Sequence, residues 1–191
     1  MPPITKIKKE DIIKKCFEIA KKEGLDSINA RRIAKELKCS VQPIFSNFKN
    51  MQDLKQATLN KINLYFYDFI IKLFDDSTPK YKQVGINYIK FAKEEPTLFK
   101  ILFLENSELN SPILENNESF EIVKQFIEAS TNLDKNKIDS FHYKMWIFTH
   151  GLATIVSSNN QKLTNEDIST LLSSEFNALM LLEKNNEKRK I

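Results

Sequence analysis

Hydrophobic residues recur at three- and four-residue intervals through almost the whole chain, and no stretch sustains the strict alternation of a half-buried strand. That periodicity restricts the chain to amphipathic helices packed on one another. Only three glycines, Gly24, Gly85 and Gly151, interrupt the 191 residues. Their scarcity favours helix, in which glycine is unfavourable. It also argues against a phosphate-cradling loop, which needs clustered glycines so that backbone amides can reach the phosphates. A hydrophobic share of 41% is enough to bury a core. The first ten residues lack the apolar stretch of a signal peptide, and no apolar run approaches the roughly 20 residues that span a bilayer. The expectation is a soluble, cytoplasmic, all-α protein of about nine helices.

The first helix covers about Lys9 to Glu23, with Ile12, Ile13, Cys16, Phe17 and Ala20 on its inner face. Gly24 follows where a left-handed residue is usually required. Asn29 is placed as the N-cap of a second helix, Ala30 to Leu37. Ser40 is expected to cap a third, Val41 to about Asn47, with Pro43 tolerated in the first turn. Asn50 and Asp53 resemble a capping box opening a long fourth helix to about Asp76. Further helices fall at about 80–94, 97–105, 118–131, 135–158 and 165–184. Asn106 to Asn117 reads as a loop, and Lys184 to Ile191 as a charged, fraying tail.

Charge is unevenly distributed. Residues 1–50 hold 12 Lys/Arg against 6 Asp/Glu, so +6, while residues 51–191 hold 17 against 19, so −2. All of the positive excess lies in the first quarter, as expected of a segment that faces phosphates; the alternative is a solvated basic helix face. The two cysteines, Cys16 and Cys39, lack metal-ligand spacing and fit a reducing compartment as packing residues, with a redox switch as the less ordinary alternative. Residues 24–54 carry the functional pattern: two short capped helices joined by a tight turn at Lys38–Cys39. Ile33, Ala34 and Leu37 of one, and Ile44 and Phe48 of the other, can close over Cys16 and Phe17, and small Ala34 suits a close helix crossing. Val41, Gln42, Pro43, Ser46 and Asn47 are then left to face a major groove, with the helix N-terminus toward phosphate.

This stretch resembles the DNA-binding region of the TetR/AcrR family of regulators, over about residues 9–56. Gly24, Ile33-Ala34, Ser40 and Phe48 match the family pattern, and Leu54 fits the start of helix four. Asn29 replaces the family's Thr cap, and Lys38 replaces its turn glycine at the expense of strain. Phe45 replaces a tyrosine whose hydroxyl typically touches phosphate, Asn47 replaces a His, and Met51 replaces a Lys, leaving backbone amides at 51–52 to meet phosphate. The resemblance implies a helix-turn-helix domain over 1–50 and a helical ligand-binding and dimerisation domain over 51–191. Candidate DNA contacts are Asn29, Arg31, Ser40, Val41, Gln42, Pro43, Phe45, Ser46, Asn47 and Lys49. Gln42 is the first choice for base reading, since an amide pairs bidentately with adenine, and Arg31 the second; Val41 and Pro43 suit thymine methyls. Arg32 reads as solvated.

The C-terminal part is rich in aromatics whose helical spacing mostly signals core, yet bundle interiors of this kind also take apolar ligands. The family commonly has an inducer pocket there, and Trp146, His150 and Gly151 form W-x-x-x-H-G, which resembles a signature of one type of TetR C-terminal domain. Candidate ligand contacts are Phe66, Tyr88, Phe91, Phe99, Phe103, Phe126, Trp146 and His150, for a small apolar or aromatic effector. The last two helices carry broad apolar stripes suited to pairing with a symmetry mate. No metal, cofactor or catalytic residue is expected: His142 and His150 lie eight apart, and no serine sits in a nucleophile elbow. The functional expectation is a ligand-responsive repressor that binds a palindromic operator as a homodimer. The alternative is an all-helical small-molecule-binding or interaction protein that keeps the fold without specific DNA binding.

Overall fold

A computed structural model describes residues 7–72, 74–75, 77–105, 118–158 and 163–188, without the side chains of 72, 118–120 and 186–188. Among the described residues there are nine α-helices and no strand. They are α1 (Lys9–Glu23), α2 (Ala30–Glu36), α3 (Gln42–Asn47), α4 (Met51–Lys72), α5 (Lys80–Glu94), α6 (Pro96–Lys100), α7 (Glu118–Thr131), α8 (Lys135–Ser157) and α9 (Asn165–Lys188). A 3₁₀ turn at Leu25–Ser27 follows α1, and a π-helical turn at Ile101–Glu105 follows α6. The contacts divide the chain into two compact units, Met1–Phe66 with Thr97–Asn110, and Tyr67–Pro96 with Ser111–Ile191.

In the first unit, α1 packs on both α2 and α3. Ile12, Cys16, Ile33, Ile44 and Leu54 are almost wholly inaccessible, and each of the isoleucines and the leucine contributes roughly 1.5–3 kcal/mol relative to exposure. Ile13, Phe17 and Leu37, expected beside them, are only half-buried, and Phe17 instead sets its ring edge-on against Tyr65 at 5.2 Å. Phe103 joins this unit by packing its ring against Phe66 (5.2 Å) and Phe99 (5.0 Å). In the second unit, α5 lies against α7, α8 and α9. A Cβ on Gly85 would come 3.3 Å from Leu172 Cδ1, so glycine there permits the close approach of α5 and α9.

Several helix ends differ from the sequence expectation. The fourth helix is described to Lys72, and Phe74 and Asp75 already lie outside it, short of the expected end at about Asp76. Asp75 explains this: its Oδ1 accepts from the Ser77 and Thr78 amides (2.8 and 2.9 Å) and from Ser77 Oγ, an Asx-type turn that competes with continued helix. The expected helix over 97–105 starts one residue earlier, at Pro96, and winds into the π turn after Lys100, where Ile101, Leu102 and Phe103 are all buried in succession. Packing on several sides overrides the ordinary winding there. Helix α9 continues through Lys188 rather than ending near 184. Ser40 is not a cap: Val41 occupies that position, with no side-chain cap bond. The expected loop at Asn106 to Asn117 and the end of the tail lie outside the described residues. No helix among the described residues is long and apolar enough to cross a membrane.

Candidate nucleic-acid interface and interior cavity

The first unit presents α3 through two well-defined corners. Gly24 ends α1 at φ +87°, ψ 168°, a region open almost only to glycine. Asn29 Oδ1 accepts from the Arg32 amide at 3.0 Å and so caps α2. Arg32 is not merely solvated: it forks onto Glu23 at 2.6 and 2.5 Å, binding the start of α2 to the end of α1. This pair holds the Glu23 carboxyl below its ordinary range and raises the guanidinium. Arg31, next in the chain, is exposed.

The turn into α3 has the hydrogen bonds of a Schellman motif. The Cys39 amide donates to the Ala34 carbonyl (2.9 Å) and the Lys38 amide to that of Lys35 (3.2 Å). Lys38 takes the left-handed conformation this requires, φ +53°, where the family pattern has glycine. Beyond the turn, Ile44 and Phe48 face inward while Ser40, Val41, Gln42, Phe45 and Ser46 face outward. Phe45 is 50% and Val41 40% accessible, a large apolar exposure on so short a helix. Pro43 is half-buried.

Two polar side chains expected at the reading face make bonds within their own helix. Ser46 Oγ donates to the Gln42 carbonyl (2.9 Å) and Asn47 Nδ2 to that of Pro43 (2.7 Å). Lys49 is exposed, and its amide donates to Asp53 Oδ2 (3.0 Å), while Asn50 Oδ1 accepts from the Asp53 amide (2.9 Å). The capping pair read from Asn50 and Asp53 therefore forms, with the reciprocal bond displaced by one residue to Lys49. Cys16 is buried and its thiol is pushed up to about 11 by desolvation; Cys39 is half-buried.

The second unit encloses a cavity of about 480 Å³ walled by α4, through Tyr67 and Ile70, and by α5, α7, α8 and α9. Of the residues expected to contact a ligand, Tyr88 and Trp146 line it. His150 stands behind them, sharing a 3.0 Å hydrogen bond through Nδ1 with the Tyr88 hydroxyl and stacking on Trp146 at 5.2 Å. Phe91 is core, edge-on to Phe69 (5.3 Å), and Phe126 pairs with Phe74 (5.4 Å). Phe66, Phe99 and Phe103 belong to the first unit and are brought together there.

Sequence reasoning missed Tyr81, whose hydroxyl shares a 3.0 Å hydrogen bond with His142 Nδ1; both line the cavity. The signal available was the pairing of two intervals, seven residues between the tyrosines of α5 and eight between the histidines of α8. Burial raises both tyrosine hydroxyls, lowers His142 to about 4 and lowers His150, so both imidazoles are neutral at neutral pH. Among the described residues no group of three or more His, Cys, Asp or Glu side chains is arranged to hold a metal.

No family model matches the sequence. A curated Haemophilus influenzae protein, described as an uncharacterized HTH-type transcriptional regulator, is 24% identical over 135 residues, which cover 69% of this chain and 64% of that protein. The match thus spans less than two thirds of the relative's length. The crystal structure of a TetR-family transcriptional regulator from Haemophilus influenzae aligns with a TM-score of 0.60 at 18% identity, over 88% of this chain and 94% of that one. With α1 to α3 arranged as a helix-turn-helix unit and helices α4 to α9 following, this chain has the fold of the TetR family of transcriptional regulators.

Proposed function

We propose that the protein is a DNA-binding transcriptional regulator, a cytoplasmic, ligand-responsive repressor that grips a palindromic operator as a homodimer. The observation that carries this reading is the outward face of α3, held by a buried three-helix core and set in the most basic part of the chain. Residues 1–50 serve as the reading head and residues 51–191 as the effector-binding and dimerisation part. Gln42, exposed and with its side chain outside the helix bonds, pairs with adenine; Val41 and Phe45 meet thymine methyls. Arg31, Lys38 and Lys49 supply exposed positive charge for the backbone. Asn29, Ser40, Pro43, Ser46 and Asn47 shape the surface around them.

The homodimer is supported by exposed apolar residues on the last two helices. On α8, Tyr143, Ile147 and Ile155 fall at four-residue multiples with exposed Gly151 between the isoleucines, and on α9 Leu181 and Leu182 are open. A dimer also places two recognition helices about 34 Å apart, to read successive major grooves. Occupancy of the cavity shifts α4 and so the separation of the two heads, to the extent that the effector binds one state better than the other.

The test is selection of duplexes from a random pool by the full chain, followed by binding across a salt series. The expected result is an inverted repeat with half-sites one helical turn apart and an affinity that falls log-linearly with salt. Failure to enrich any sequence, with no binding at about 50 mM salt, refutes the reading.

A further inference from the structure

The cavity of the second unit is lopsided in what it offers a ligand. Among the described residues no aspartate or glutamate lines it, so a cation drawn inside would find no counter-charge. Lys82 is the one ammonium among the described lining residues, and it is half-buried. Of the hydroxyls on the walls, Thr149 donates to the Met145 carbonyl (2.8 Å), Ser173 to Ser169 (3.0 Å) and Ser130 to Phe126 (2.7 Å), while those of Tyr81 and Tyr88 are shared with His142 and His150.

Trp146 differs from these. Its indole nitrogen is sequestered and lies against the Tyr88 oxygen, where it tempers the upward push of burial on that hydroxyl. The walls also carry apolar side chains, Val84, Met145, Leu172 and Phe176 among them. The opening is marked by exposed Pro79, Ala129, Ser130 and Asn177.

We infer that the cavity takes an apolar anion, a carboxylate in the simplest case, whose hydrocarbon body fills the aromatic interior and whose acceptor oxygens answer Lys82. The inference rests on the reading of the cavity as the effector site and adds the chemistry of the effector.

The experiment uses three probes with one chain and different heads, decanoate and decyltrimethylammonium below their micelle concentrations and decan-1-ol below its solubility limit. The chain has a single tryptophan, and it lines the cavity, so its emission reports occupancy directly, with calorimetry as a second readout. Decanoate is expected to bind roughly tenfold more tightly than decan-1-ol, as one added hydrogen bond to a charged group provides, and more tightly than the ammonium probe. Lys82→Met should reduce decanoate to the level of the alcohol, and Lys82→Arg should keep the preference. Equal binding of the cationic probe, an anion preference that survives Lys82→Met, or no binding of any probe would each overturn the inference. Binding in the expected order with no change in operator affinity would leave the cavity chemistry standing and refute the ligand-responsive repressor instead.

Discussion

The turn between α2 and α3 gives a prediction whose size follows from one dihedral angle. Lys38 stands at φ +53°, where the Cβ of an L-residue crowds the following carbonyl at a cost of about 1–2 kcal/mol. Glycine removes that cost and, through the greater freedom of its unfolded chain, returns about 0.5–1 kcal/mol of it. Lys38→Gly should therefore stabilise the protein by about 0.5–1 kcal/mol, raising Tm by roughly 1–4 °C for a chain of this size. Lys38→Ala is the control, since alanine removes the charge but keeps the Cβ; it should change stability by no more than about 0.5 kcal/mol. Urea denaturation of the three proteins, analysed for midpoint and slope, reads the difference. The mirror case is Gly24, at φ +87° with no atom within 4 Å of where a Cβ would lie. Gly24→Ala meets no clash and should still lose about 1–3 kcal/mol, from the backbone alone. If Lys38→Gly proved neutral or destabilising, or matched Lys38→Ala, the assignment of strain to this turn would be refuted.

Other expectations follow from burial and from the face of α3. Replacing thymine by uracil in the selected half-site removes only a methyl; at about 0.8 kcal/mol per methyl the wild type should bind about fourfold more weakly per contact. Phe45→Ala should level that difference, and an equal loss in both proteins would show that Phe45 does not read the methyl. His142 is held neutral, near 4, below its ordinary 6.5; the unfolded chain therefore takes up the proton first, and its stabilisation is full above about 6.5 and lost as pH falls toward 4. The fall should approach about 1.4 kcal/mol per pH unit and be shallower in His142→Gln, as followed by denaturation midpoints; parallel pH curves would contradict it. Native protein should present Cys39 but not Cys16 to a thiol reagent at neutral pH, since Cys16 is buried and its thiol lies near 11; rapid reaction of two thiols per chain would show that the α1 core opens.

Much of the first unit was determined by the sequence alone, because its rules are local. The apolar spacing of Ile12, Cys16 and Ala20 sets the inner face of α1, Gly24 ends it, Asn29 caps α2, and Asn50 with Asp53 opens α4; each acts within three or four residues of where it stands. What only the tertiary structure decided is which groups meet across distances the chain does not encode. Tyr81 meets His142 and Tyr88 meets His150 across 61 and 62 residues. Phe66, Phe99 and Phe103, placed by their aromatic character with a C-terminal ligand site, fall instead in the first unit beside one another. Arg32 finds Glu23 nine residues earlier, across a corner of the fold, rather than water. An amphipathic stripe states that a residue turns inward; it does not state which interior receives it, because burial is favourable against any apolar surface and only the packing of whole helices selects among them.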